Sequence, residues 1–280
     1  MNITAVIGAI ALAGMSFAQA APSKKTQQPK AAAQKDSPYS LAPLDPAVDA
    51  LPPRYAGHSC RSLAKAVSTI KPQKSEFETT AAYKARVDAL SSAPMVGTTT
   101  LNDVIGLVQA PEVYSGVHET YDADRGVLKL DAHWDGITQS VNNQLLRKVT
   151  LDQKLKSTRS YTASNAYGKK VDVDSSRWDA CGVAFSNLTY YASLTSGRKN
   201  IQESIEMTPD EAKSAKGNLA IVFVGNMSEP YLWEFSDYSK PTIDHPTEMA
   251  WGGDLLVMKL VQVWIFNRQS GKIYKKIEID

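Results

Sequence analysis

Three sets of residues have the types and spacing that chemistry or binding would require. The first is Asp131, His133 and Asp135, which alternate along a segment with strand-like periodicity. A strand places such residues on one face, about 7 Å apart. Imidazole and carboxylate groups together are ligands for zinc or another divalent metal. His118, on the other arm of a predicted hairpin, joins them in only one of two registers. The other interpretation is the solvent face of an amphipathic strand whose opposite, apolar face carries Leu128, Leu130, Ala132 and Trp134.

The second set lies in the segment from Glu229 to Gly253, which the sequence predicts to be a long connection between two strands. Long connections in compact domains are often functional, and aromatic rings with a polar tip suit contact with a ligand. Tyr231, Trp233 and Trp251 are therefore candidate contacts for a partner or ligand. Alternatively, these rings cover the edge of a sheet.

The third set surrounds Trp178 and consists of Asp172, Asp174, Arg177 and Asp179. Neighbouring carboxylates can act as acid and base. Beside the two serines at 175 and 176, however, such carboxylates more often mark a solvated turn.

Signatures of well-known enzymes are absent from the sequence. We find no nucleophile elbow, phosphate-binding loop, dinucleotide fingerprint, H-E-x-x-H or C-x-x-C motif. We therefore assign no catalytic residue and no cofactor, and the sequence favours a non-enzymatic binding or assembly module. The alternative is a hydrolase or metal-dependent enzyme of an unfamiliar type. A net charge of +2 gives no electrostatic reason to expect nucleic acid as a partner.

The first twenty residues indicate export. They contain no charged side chain, an apolar run from Ala5 to Leu12 and the small-residue pattern Ala18-Gln19-Ala20. This pattern predicts a signal peptide of residues 1–20, cleaved after Ala20. No segment of the mature chain is long and apolar enough to be a transmembrane helix. We therefore expect a periplasmic or secreted protein.

Export changes the interpretation of the two cysteines, Cys60 and Cys181. In an oxidising compartment an even number of cysteines favours a disulfide, here closing a loop of about 120 residues. Two buried free thiols are the alternative.

Composition and periodicity divide the rest of the chain. Residues 21–57 are rich in Ala, Pro and Lys without an apolar period, which predicts a flexible tether. Residues 58–280 form a single predicted domain that is helical over 58–110 and rich in strands over 111–280. Three helices are predicted over 58–110: one with Leu63, Val67 and Ile70 on its apolar face, one capped by Ser75, Thr79 or Thr80, and a short one that begins near Thr100. The expected fold class is α+β, with N-terminal helices packed on a mainly antiparallel sheet, and a sandwich remains open.

Three segments resemble parts of uncharacterised exported bacterial proteins. They are "EFETTAAYKARV" from Glu76, "YDADRGVLKL" from Tyr121 and "SNAYGKKVDVDSSRWDACGVAF" from Ser164. The resemblance implies a protein of the bacterial envelope, acting on an unidentified envelope ligand or protein. It assigns no activity to any residue.

Overall fold

The computed structural model describes residues 37–70, 74–109, 117–133, 136–137, 144–189 and 200–279. Strands make up 55% of the described residues and helices only 13%. The predicted α+β class is therefore wrong: the described residues are mostly β, and their helices do not form an N-terminal layer packed on a sheet.

Three helices and ten strands lie within the described residues. The helices are α1 (Cys60–Val67), α2 (Thr80–Ser92) and α3 (Pro209–Ala215). The strands are β1 (Val104–Gln109), β2 (Val117–Asp122), β3 (Val127–His133), β4 (Gly136–Ile137), β5 (Leu146–Ser164), β6 (Lys170–Thr189), β7 (Asn200–Glu206), β8 (Leu219–Ser239), β9 (Thr247–Asn267) and β10 (Ile273–Glu278).

The two early helices differ in what they bury. The N-cap of α1 is Ser59, and the helix buries Leu63 and Val67. The N-cap of α2 is Thr79, whose hydroxyl accepts from the backbone N–H of Ala82, and α2 has no buried residue. The third helix predicted in this region is instead strand β1. Its residues pair with β8 over their full length, and this sheet pairing overrides a local helical pattern.

A large sheet has the strand order β1-β8-β9-β6-β5-β4, and β10 also pairs with β9. The described pairings are antiparallel except that of β6 with β9, which runs parallel from Asp174↔Thr247 to Phe185↔Met258. Two long hairpins, β5–β6 and β8–β9, therefore meet side by side in the middle of the sheet.

A second, three-stranded sheet has the order β2-β3-β7. Alternate residues of β3, namely Leu128, Leu130 and Ala132, are buried in one cluster with large-sheet residues such as Phe223 and Ile265. This confirms the predicted apolar face of that segment, because side chains of a strand alternate between its two faces. The two sheets thus share one core.

The opposite face of the large sheet is covered by residues that precede α1. Leu44 and Leu51 are buried against Val222, Trp264 and Phe266. Packing therefore begins before His58, where the sequence places the domain boundary. The predicted signal peptide and residues 21–36 lie outside the described residues.

A disulfide joins the first residue of α1 to β6 and confirms the predicted pairing of Cys60 with Cys181. Their Cα atoms are 6.0 Å apart and their positions are separated by 121 in sequence. A cross-link over so long a loop removes much conformational freedom from the unfolded chain.

Loss of the disulfide should lower the free energy of unfolding by roughly 2–5 kcal/mol. We expect the Cys60→Ala/Cys181→Ala variant to show this loss in denaturant unfolding. Reductant should produce a similar loss in the wild type and none in the variant. An equal response of both proteins to reductant would contradict the assignment.

Gly253 permits the parallel pairing of β6 with β9. It lies beside Ala180, and a Cβ added to Gly253 would come 1.9 Å from the backbone oxygen of Ala180. Real Cβ atoms do not approach backbone so closely, so one strand would have to shift. The neighbouring Gly252 is a natural control, because its added Cβ would meet its nearest atom, the oxygen of Phe235, at 3.5 Å.

Gly253→Ala should therefore destabilise the protein by about 1–3 kcal/mol, the usual range for overpacking. Gly252→Ala should change stability by about 0.5 kcal/mol or less. Thermal and denaturant unfolding of the two variants measure the difference. Equal effects would show that the close contact between β6 and β9 does not limit this position.

Candidate functional site

The aromatic segment predicted as a connection is folded as strand. Residues 229–253 form the outer half of β8, a short turn and the first part of β9, paired from Leu232↔Leu256 to Ser239↔Met249. Only residues 240–246 connect the two strands at the tip of the hairpin, so the predicted long connection is wrong. Together with the outer halves of β5 and β6, this hairpin forms a four-stranded region that we call the extended sheet.

One face of the extended sheet carries a small aromatic cluster, which we call the tryptophan face. Trp233 and Trp251 are partly buried there against Phe235, Leu255 and Ala180. The register explains the grouping, because Trp233 lies opposite Leu255 and Phe235 lies opposite Gly253. Residues opposite each other on neighbouring strands share a face. Two of the three predicted aromatic contacts are therefore brought together.

The third predicted contact, Tyr231, lies elsewhere. It packs against the main core with Leu232, and burial raises the pKa of its phenol. A bulge separates it from the tryptophans, since residues 228–231 of β8 lie opposite the single β9 residue Val257. A bulge of this kind changes which face the following side chains occupy.

Sequence reasoning missed Trp178 as a member of the tryptophan face. It lies directly beside Trp251 in the parallel pairing of β6 with β9, and its indole N–H donates to the Ser176 hydroxyl at 3.1 Å. The alternation of the β6 sequence around Trp178 fits a strand. Nothing local, however, shows that β6 and β9 pair in parallel.

An ion pair joins the two outer strands across the tryptophan face. The Lys148 ammonium on β5 contacts the Asp237 carboxylate on β8, and it lies 4.5 Å from the centre of the Phe235 ring. Two strands separate β5 from β8 in the sheet. The contact therefore requires the extended sheet to bend so that its tryptophan face is concave.

The other face of the extended sheet carries a polar cluster centred on Glu248 of β9. Its two carboxylate oxygens accept hydrogen bonds from the hydroxyls of Tyr161 on β5 and Tyr238 on β8, each at 2.9 Å. These hydrogen bonds hold the pKa of Glu248 below its ordinary value and raise the pKa of both tyrosines. One carboxylate thus links three strands.

A second charged cluster lies next to the disulfide. Arg61, which follows Cys60 in α1, binds the carboxylates of Asp152 and Asp179. The Arg61 guanidinium lowers the pKa of Asp179. Burial, with the nearby charges of Glu234 and Asp179, raises the pKa of Asp254 on β9. These side chains fasten α1 to the sheet.

Strand alternation separates the acid–base candidates around Trp178. Asp172 and Asp174 accept hydrogen bonds from Thr162 and Ser160 of β5, at 2.7 and 2.6 Å. Asp179 is instead held by Arg61. The segment is strand β6 and not a turn, so its carboxylates are distributed over both faces and satisfy neighbouring strands.

The predicted metal ligands are only partly described. Asp131 lies directly opposite His118, which is the register that places both on one face. His133 ends β3, its side chain lies outside the described part, and Asp135 lies outside the described residues. Within the described residues, no group of three His, Cys, Asp or Glu side chains could hold a metal ion.

Comparisons with known proteins found no relative: no family model, curated protein or solved structure matches the chain.

Glu248→Gln should destabilise the protein in a pH-dependent way. A lowered carboxylate pKa stabilises the folded state above the unfolded value, near 4.5, and this contribution is lost as the pH falls through the folded value. We therefore expect the stability difference from wild type to be largest at neutral pH and to vanish in acid. Denaturant unfolding between pH 7 and pH 3 measures it.

Glu76→Gln is the matched control, because Glu76 is exposed. It should leave the pH dependence unchanged. A constant difference between Glu248→Gln and wild type at every pH would contradict the role of the carboxylate charge.

Proposed function

We propose that this chain is an exported protein of a bacterial envelope that acts as a non-enzymatic binding or assembly module. The observation that carries the proposal is the tryptophan face, where Trp178, Trp233 and Trp251 lie partly exposed on a sheet that extends beyond the main core. Indole rings held by a rigid sheet offer large contact area at little cost in conformational entropy, which is why tryptophan is enriched at binding interfaces.

The N-terminal sequence and the disulfide support export. The first twenty residues have the composition of a signal peptide, and a disulfide between buried cysteines persists in oxidising compartments. Among the described residues, no helix has the length and apolarity to cross a bilayer.

The carboxylate clusters of the extended sheet have structural explanations. Arg61 binds the carboxylates of Asp152 and Asp179 beside the disulfide, and hydroxyls of β5 donate hydrogen bonds to Asp172 and Asp174. Each carboxylate is thus placed to hold neighbouring elements together. This arrangement favours binding over catalysis as the function of the aromatic surface.

Expression of the full chain in a Gram-negative host tests both parts of the proposal. The periplasmic fraction should contain a chain whose intact mass begins at Ala21 and is two hydrogens lighter than its reduced form. Chemical cross-linking in these cells should yield a discrete adduct, which Trp233→Leu and Trp251→Leu should reduce. An uncleaved, reduced chain in the cytoplasm would overturn the assignment of export.

Tyr231→Phe is the matched control for the tryptophan variants, because Tyr231 is in the same segment but packs against the main core. It should preserve the cross-linked adduct. Unfolding measurements separate loss of binding from loss of fold. The proposed function is wrong if well-folded tryptophan variants form the adduct as efficiently as wild type. It is also wrong if native mass spectrometry shows a retained metal ion on which a hydrolytic activity of the protein depends.

A further inference from the structure

A polar cleft lies on the outer face of the small sheet. The pairing of β2, β3 and β7 arranges six side chains in two transverse rows, one residue from each strand in each row. The alternate residues of β3 are buried in the core. The cleft has a volume of about 660 Å³, within the usual range for small-molecule sites. The first row is His118, Asp131 and Gln202, and the second row is Thr120, Lys129 and Ser204.

The two rows differ in how far their polar groups are engaged. In the first row, the Gln202 amide donates to the Asp131 carboxylate at 3.0 Å. In the second row, the side chains of Thr120, Lys129 and Ser204 make no hydrogen bond or ion pair within the described part of the chain. All three are exposed. The second row therefore presents one ammonium flanked by two hydroxyls, about 5 Å apart from strand to strand.

The ammonium of the second row favours a ligand with an anionic group at that end of the cleft. The other acid that lines it, Glu203, is bound by Lys275 at 2.5 Å, and Asp131 accepts from Gln202. The Asp131 carboxylate keeps its negative charge, because the Gln202 amide is neutral, but it belongs to the first row. Lys129 is the cation of the second row and forms no ion pair within the described part of the chain. An ammonium with two hydroxyl donors matches a carboxylate or phosphate, because charge-assisted hydrogen bonds are the strongest available to an oxyanion.

The first row suits a different part of the same ligand. A carboxylate, an amide and an imidazole supply both donors and acceptors. Hydroxyl groups, which donate and accept at once, complement such a mixture. The two rows lie about 7 Å apart along the strands, a distance that one small molecule spans.

We propose that this cleft binds a small polyhydroxylated anion, a sugar that carries a carboxylate or phosphate, with the anionic group on Lys129, Thr120 and Ser204 and the hydroxyls on Asp131 and Gln202. The site is separate from the tryptophan face, and its existence requires neither export nor partner binding there.

Calorimetric titration of the purified protein with four compounds tests this proposal: glucuronic acid, glucose 6-phosphate, glucose and inorganic phosphate. At least one of the two acidic sugars should bind, and it should bind more tightly than glucose and than phosphate alone. The stronger of the two identifies the anionic group. Lys129→Gln should weaken that binding about 10- to 100-fold, as expected for a charge-assisted hydrogen bond.

Lys154→Gln is the control, since Lys154 is an exposed lysine of β5 and does not line the cleft. It should bind like wild type. Thr120→Val and Ser204→Ala provide independent tests should Lys129→Gln fold poorly, and each should weaken binding several-fold.

Four results would overturn the proposal. One is the absence of binding by either acidic sugar at millimolar concentration. A second is equal binding by wild type and a well-folded Lys129→Gln variant. A third is equal affinity for phosphate and glucose 6-phosphate, which would leave the first row without a role. The last is zinc binding that depends on His118 without sugar binding, which would make the face a metal site.

Discussion

The parallel pairing of β6 with β9 is the contact on which the rest of the structure depends. Each of these strands already belongs to a long antiparallel hairpin, and a hairpin alone is marginally stable. Their pairing places two hairpins in one sheet. Val183, Phe185 and Leu256 of the paired strands are buried in the main core. The disulfide links α1 to this pair of strands at Cys181 of β6, which lies beside Asp254 of β9. Gly253 permits the strands to approach.

One register in this central pair determines both faces of the extended sheet. Because side chains alternate, placing Trp178 beside Trp251 also places Ser175 beside Glu248 on the opposite face. The aromatic surface and the Tyr161–Glu248–Tyr238 cluster are therefore consequences of the same alignment. A shift by one residue would exchange the two faces and bring indole rings to the side where α1 and its charged partners lie.

The sequence predicted the features that depend on neighbouring residues. The alternation of Leu128 and Leu130 predicted a strand with one buried face, and the count of cysteines predicted the disulfide. The features it failed to predict depend on residues far apart. Near Thr100 the local pattern fits a helix, but pairing with β8 makes β1 a strand. The segment after Glu229 contains many polar and turn-forming residues, and only the partner strand β9 shows that it is strand.

The same distinction applies to the sites. Sequence spacing placed Trp233 and Trp251 in one functional segment, but it added Tyr231, which the bulge in β8 moves to the main core. It also left two registers open for His118, and the pairing of β2 with β3 places it opposite Asp131. The polar cleft follows from the register of β2 with β3, because this register also aligns Thr120 with Lys129. A strand supplies one residue of each row, and a row becomes a binding surface only when three strands are in register. Long-range pairing thus converts ordinary amphipathic strands into a surface with chemistry that no single segment possesses.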